Sequence, residues 1–360
     1  MINYGIIGAG MMGQEHIRNI HLLGDARVEA IFEPDPVMAN GAKGLAPEAA
    51  MVGSIDEILE RNALDCLLIA SPNHVHVDQM EQIAARRPLP MLVEKPLFTT
   101  SEQAERVAKL SRDYPAPIWV AMEYRYMPPI AMMVDRAEEA TGGIKMLTVR
   151  EHRFPFLDKV GAWNRFNATS GGTLVEKCCH FFDLMRLILR AEPVRVMASA
   201  AGDVNHAAEE YQGNRPDIWD NGYVIVDFDN GARAMLELCM FAEGSRYQEH
   251  LSAVGPSGKI EALVPGPTRF WPEGLGPAPV PQLVLSPRNP KGEQILDVPV
   301  DPTLLEAGDH NGSTFYQHQR FLNVLQGQGK VEVTLEDGAR AVAMGLAAQE
   351  SARTGQAVLL

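Results

Sequence analysis

Up to about residue 122 the chain alternates short apolar runs with amphipathic stretches, the pattern of strands joined by helices in a parallel sheet. The runs at 2–8, 27–33, 65–70, 91–94 and 118–122 read as strands. After the first of them Met12, His16, Ile20 and Leu23 recur at i, i+4, i+8 and i+11, a helical stripe that stops at Gly24, a suitable C′ residue. Ser54 with Glu57, and Thr100 with Gln103, have the spacing of capping boxes that start further helices.

Beyond residue 122 the pattern changes. A helix over about 130–140 leads to a strand at 146–152, and a long helix runs from near Gly172 to Leu189. Two alternating runs, 223–229 and 232–241, flank Asn230-Gly231, a strong hairpin signal. Strands at 248–254 and 259–263 extend the same, mostly antiparallel sheet. Residues 264–302 are rich in proline and glycine and read as a surface excursion. A last helix is capped by Thr334 and Asp337, carries Ala339, Val342, Ala343 and Leu346 inward, and stops at Gly355. Few helices remain to cover the second sheet, so an open face is expected, suited to an oligomer contact or a ligand.

At 360 residues the chain exceeds what one core usually holds. Two domains are expected, 1–122 and 123–360, with the helix over about 335–354 available to pack back on the first. A net charge of −14 argues against nucleic acid or an anionic membrane surface as a partner. Charged residues interrupt every long apolar run, so no membrane span is expected. Met1 leads straight into the first strand with no signal peptide, and the expected location is cytoplasmic. Cys66, Cys178, Cys179 and Cys239 lack metal-ligand spacing and read as reduced thiols; no metal is expected.

The candidate chemistry begins at Gly8-Ala9-Gly10-Met11-Met12-Gly13, between the first strand and its helix. The first glycine permits the tight turn, the second lets a pyrophosphate approach the backbone, and the third lets helix and strand pack closely. Glu33 ends the next strand 20 residues past Gly13, where dinucleotide folds place the carboxylate that binds ribose hydroxyls. No Lys or Arg occurs in the nine residues after it, which favours NAD over NADP. Ser71-Pro72-Asn73-His74-Val75-His76 follows the third strand at the carboxyl end of the sheet, where ligands bind. Asn73 there has two readings, a cofactor contact and a helix cap. Glu94-Lys95-Pro96 ends the fourth strand; Lys95 is a candidate charge or proton carrier, or a surface lysine before a turn. Glu176, His180 and Asp183 share one helical face. A carboxylate beside an imidazole suits a general base, the alternatives being a surface ion pair or a metal site lacking a third ligand.

Together these segments, with Tyr124 to Pro128, the Gly-Gly-x-Leu…His-x-x-Asp stretch ending at Asp183, and residues 335–355, resemble the Gfo/Idh/MocA oxidoreductases over nearly the whole chain. The resemblance implies an α/β fold: an N-terminal Rossmann domain with a doubly wound parallel sheet, then an α+β domain with a large open, mostly antiparallel sheet. It implies NAD-dependent oxidation of a secondary hydroxyl on a cyclitol such as myo-inositol, or on a monosaccharide. Lys95 would be the catalytic lysine and His180 the acid/base. Glu176 stands where most members carry aspartate, and Asp183 matches the usual aspartate after the histidine. The cofactor would meet Gly8, Gly10, Met11, Met12, Gly13, Glu33, Ser71, Asn73, His76, Glu94 and Lys95. Arg125, Tyr126, Trp163, Asn164 and Arg165 would line the sugar pocket, with Glu176 and His180 at the reacting carbon. A homodimer or homotetramer through the open sheet is implied. Glu176, Lys177 with the double cysteine, and Glu123 depart from the family pattern. Two other functions fit the fold: a glycoside hydrolase with tightly held NAD, and a non-catalytic NAD-binding regulator, against which the presence of both Lys95 and His180 argues.

Overall fold

The computed structural model describes residues 1–360, which form two compact units. The first comprises Met1–Glu123, Asp158–Gly171 and Thr314–Val342. Its sheet is built from β1 (Ile2–Ile7), β2 (Ala26–Phe32), β3 (Ala50–Val52), β4 (Cys66–Ile69), β5 (Met91–Val93) and β6 (Ile118–Val120). All five pairings are parallel and the order is β3-β2-β1-β4-β5-β6, so chain order reverses between β1 and β4. Helices cover both faces, which is why Cys66 to Ile69 is an unbroken and fully buried apolar run. β3 escapes the sequence pattern: three half-exposed residues at the sheet edge carry no periodic signal.

The helix starts follow the expectations in part. Thr334 and Asp337 exchange backbone and side-chain hydrogen bonds at 3.0 and 3.1 Å, a full capping box before the helix Leu335–Thr354. Ser54 accepts from the Glu57 N–H at 3.2 Å, while the Glu57 carboxylate reaches the N–H of Gly53, one residue upstream of the box. Thr100 caps nothing: the helix begins at Gln103, whose side-chain oxygen accepts from the N–H groups of Thr99 and Thr100. Asn73 is likewise no cap: the helix His76–Arg86 starts after Val75 with no side-chain cap, and the Asn73 amide donates to the Ser170 carbonyl at 3.0 Å.

The second unit comprises Tyr124–Leu157, Gly172–Ser313 and Ala343–Leu360. Its strands are β7 (Met146–His152), β8 (Pro193–Ala201), β9 (Asn221–Phe228), β10 (Arg233–Cys239), β11 (Glu249–Gly255), β12 (Gly258–Val264), β13 (Gln282–Pro287), β14 (Gln294–Asp297) and β15 (Val358–Leu359). They form one sheet in the order β14-β13-β12-β11-β7-β10-β9-β8-β15, antiparallel except for β7 beside β10. The Asn230-Gly231 turn joins β9 to β10, with Gly231 at φ +80° as such a turn requires. One face packs on the helices Pro128–Thr141 and Cys179–Leu189. The other carries Met146, Tyr223 and Ile225 among charged residues, with Tyr223 57% exposed. The stretch 264–302 is more than an excursion: it contributes β13 and β14, short runs hidden between prolines.

The long helix expected from Gly172 to Leu189 is broken into Thr173–Glu176 and Cys179–Leu189. The Cys178 N–H donates to the Thr173 carbonyl, five residues back instead of four, so the ladder passes over the carbonyl of Leu174. That bulge changes the phase of the chain, and Glu176 and His180 do not share the face of one regular helix. Gly345, on the helix Leu335–Thr354, packs against the same carbonyl, and a Cβ there would lie 2.5 Å from it. Gly345→Ala is therefore expected to cost about 1–3 kcal/mol by forcing helix and bulge apart. Gly44→Ala, in the helix Pro36–Leu45 where a Cβ meets nothing within 4 Å, is the control and should be neutral or mildly stabilising. Urea denaturation of the two variants checks the contrast.

Candidate active site

In the first unit, the turn after β1 lies at the point where strand order reverses. Gly8 has φ +88°, and a Cβ on it would sit 2.6 Å from the Ser71 N, so the chain just past β4 leaves no room for a side chain. A Cβ on Gly13 would stand 2.4 Å from the Gly8 carbonyl, which is the close helix–strand contact. At Gly10, the N-cap of the helix Met11–Leu22, a Cβ would meet nothing within 4 Å. Two glycines are thus demanded by the protein's own packing, while the second keeps the helix N-terminus approachable by a ligand. Met11 is exposed and Met12 half-buried beside it. Glu33 closes the turn: one carboxylate oxygen accepts the Ala9 N–H at 2.6 Å and the other the Asp35 N–H at 2.9 Å. A carboxylate at that mouth can accept ribose hydroxyls and repels a 2′-phosphate. The residues present fit an NAD molecule.

Ser71 donates through its hydroxyl to Gln79. His76 is fully buried, with its ring nitrogens 2.9 Å from the Pro96 carbonyl and 3.0 Å from that of Ser71. Its geometry is that of a tie between the Ser71 loop and the Lys95-Pro96 turn, and burial holds its proton affinity down. Glu94 is also buried: one oxygen accepts the Lys95 N–H at 3.2 Å, and the other lies 2.9 Å from His16 Nε2. His16 Nδ1 is 2.8 Å from His318 Nε2, and His318 Nδ1 is 3.3 Å from the Tyr4 hydroxyl. His16 therefore belongs to a polar chain and not to the apolar stripe it completes in sequence. His16 beside it holds the Glu94 carboxyl below its ordinary range, against the opposing effect of burial. Lys95 is half-exposed beyond this chain. His318 and Tyr4 carry no spacing signal, and His16, three residues past Gly13, reads in sequence only as part of the apolar stripe.

Trp163, Asn164 and Arg165 also belong to the first unit. Arg165 is buried and pairs with Asp158 at 2.7 Å; Asn164 is buried; Lys159 stands over the Trp163 ring at 4.9 Å. Glu123 is buried near Thr314, whose hydroxyl lies 2.9 Å from Glu15 and 3.4 Å from Glu123.

In the second unit, Glu176, His180, Asp183, Tyr124 and Tyr126 are all buried. Asp183 receives two hydrogen bonds from the Arg125 guanidinium, at 2.5 and 2.6 Å. The face-to-face neighbour of His180 is the Tyr124 ring, with centroids 4.1 Å apart and planes at 10°. Lys177 donates to the Tyr124 hydroxyl and lies 2.8 Å from Glu151. Glu151 and Glu249 are direct cross-strand partners in β7 and β11, and both are buried. Burial, reinforced by Glu151, pushes the Glu249 carboxyl up to about 7, and burial holds the Lys177 ammonium below its ordinary value. No disulfide joins Cys66, Cys178, Cys179 and Cys239, and burial raises the thiols of Cys66 and Cys178.

A doubly wound sheet with this turn and this carboxylate defines a dinucleotide-binding protein. Residues 2–122 match the model of the GFO_IDH_MocA oxidoreductase family's NAD-binding Rossmann fold, and residues 137–360 match its C-terminal alpha/beta domain. The chain belongs to the Gfo/Idh/MocA family of NAD-binding oxidoreductases. It is 30% identical over 273 residues to the rhizopine catabolism protein MocA of Rhizobium meliloti, covering 74% of this chain and 78% of that one. An inositol 2-dehydrogenase of the same organism is 27% identical over 265 residues, 72% of this chain and 75% of its own. The fold also matches levoglucosan dehydrogenase, solved with NADH and levoglucosan, at TM-score 0.81 and 20% identity over 99% of both chains. No helix is long and apolar enough to cross a membrane.

The buried acids generate a pH prediction. Glu249 binds its proton more tightly folded than unfolded, so its contribution favours folding below about pH 4.5 and is lost as pH rises towards 7. Glu249→Gln lacks this loss, and its Tm should gain on the wild type between pH 5 and 8. Lys177→Met leaves the opposed Glu151 and Glu249 carboxylates with Arg153, 3.8 Å from Glu151, but without the nearer ammonium, and should cost about 3–5 kcal/mol near pH 8. Thermal melts across the pH range test both.

Proposed function

We propose that this chain oxidises a secondary hydroxyl of a cyclitol or monosaccharide, with NAD as the hydride acceptor. The observation that carries the reading is the turn at Gly8, Gly10 and Gly13 with Glu33 at its mouth, in a chain of this oxidoreductase family. The names of its relatives, an inositol 2-dehydrogenase and a levoglucosan dehydrogenase among them, support the substrate class.

The N-terminus of the helix Met11–Leu22 would hold the pyrophosphate and Glu33 the ribose hydroxyls. NAD, when bound, supplies the acceptor for the hydride. Hydride loss from carbon requires proton loss from oxygen, and His180 takes that proton as general base. The Lys95 ammonium assists by stabilising negative charge on the substrate oxygen. Glu176, buried within the bulge, is the carboxylate that the family resemblance assigns to the histidine. Arg125 is committed to Asp183, so its part in the sugar pocket is to brace the wall around His180. The open face of the nine-stranded sheet is the proposed surface for a homodimer or homotetramer.

A panel of inositols, aldoses and glycosides, assayed for NADH absorbance with NAD and separately with NADP, tests the reading. Lys95→Met and His180→Ala should each lower kcat by about 10²–10⁴-fold while NAD affinity survives. Near-wild-type rates in both variants would end the assignment of roles. A preference for NADP would overturn the part given to Glu33. Turnover of a glycoside without net NADH would move the chain to the hydrolase class.

A further inference from the structure

We infer that Tyr124 is a positioning residue for His180 and that Lys177, buried against the Glu151 carboxylate, fixes Tyr124 in place. The inference rests on the proposed role of His180 and names what holds it.

A ring stacked face to face at 4.1 Å is kept from tilting, while its nitrogens, lying in the ring plane, are directed past the stack. Tyr124 can act as such a platform only if it is itself immobile. Its ring meets Phe181 edge-on at 5.9 Å and lies 6.0 Å from His310. Its hydroxyl accepts from Lys177, whose Nζ is 4.5 Å from the ring centroid. A lysine side chain has many rotamers, but this one has lost them: it is buried, and Nζ is 2.8 Å from Glu151. Glu151 faces Glu249 across β7 and β11, Arg153 lies 3.8 Å from Glu151, and Gln248 donates to Glu249 at 2.6 Å. Like charges directly opposite one another repel, so the cation cannot leave the pair without cost. The path therefore runs from two strands of the sheet, through Lys177 and Tyr124, to the imidazole.

The test uses the full chain labelled with ¹³C,¹⁵N-histidine, with the His180 resonances identified by their loss in His180→Gln. A ring stacked on tyrosine has its protons shifted upfield. Tyr124→Leu should move them downfield, whereas Tyr124→Phe, which keeps the ring, should keep most of the shift. With the substrate that reduces NAD, Tyr124→Leu should lower kcat by about 10–100-fold with the KM for NAD unchanged. Tyr124→Phe should lower it less. Lys177→Met alone risks misfolding, so Lys177→Met with Glu151→Gln preserves the charge balance. Adding Tyr124→Phe to that pair should cost nothing further, because both remove the same bond. Unmoved His180 resonances in Tyr124→Leu, an unchanged kcat in that variant, or fully additive losses would overturn the inference. If no hydroxyl compound reduces NAD, the proposed reaction fails, and the histidine spectra still decide whether Tyr124 holds His180.

Discussion

Ionised groups taken out of water need partners, and in the second unit that requirement organises everything around His180. Glu151 and Glu249 project from adjacent strands onto the helix-covered face of the sheet, where apolar residues would be the default. Two carboxylates in that position cannot both keep their charge unaided. Lys177 meets the need, and it can do so because the helical ladder breaks around it. A single continuous helix would leave the lysine in a different phase. The bulge, the packing of Gly345 against Leu174, the clamp on Tyr124 and the stack on His180 are therefore one arrangement.

The first unit solves a similar problem with neutral and charged groups in series. Glu94, His16, His318 and Tyr4 form a buried line beneath the turn that bears Lys95. Burial and the neighbouring His16 hold the proton affinity of His318 far down, so this line favours a neutral ring at its centre. Both units thus place a half-exposed or buried functional group at the end of a polar chain rooted in the core.

What was legible in the sequence was whatever depends on neighbours in the chain. The glycine turn, Glu33, β7 from Met146 to His152, the Asn230-Gly231 hairpin and the helix ending at Gly355 are all local patterns. β3 was hidden because it is short and half-exposed, and β13 and β14 because prolines surround them. The carboxylates around Lys177 come from β7 and β11, adjacent in the sheet but far apart in sequence, so no spacing rule could join them. The same holds for His16, which fits an apolar stripe by position while His318 arrives from the other end of the chain. Asp183 illustrates a subtler limit: helical spacing placed it with His180, yet its carboxylate is held by Arg125.

The bond between His16 and Glu94 joins two places to which the proposed function gives different ligands. His16 rides on the helix Met11–Leu22 that follows the glycine turn, and Glu94 holds the backbone of Lys95. Binding free energy is reciprocal: whatever strain a bound dinucleotide relieves or imposes along that helix is returned in the pose of the lysine. The glycine turn and the lysine turn are in this respect a single thermodynamic object: under the proposed roles, any preference that one ligand gains from this contact is returned to the other by the same free energy.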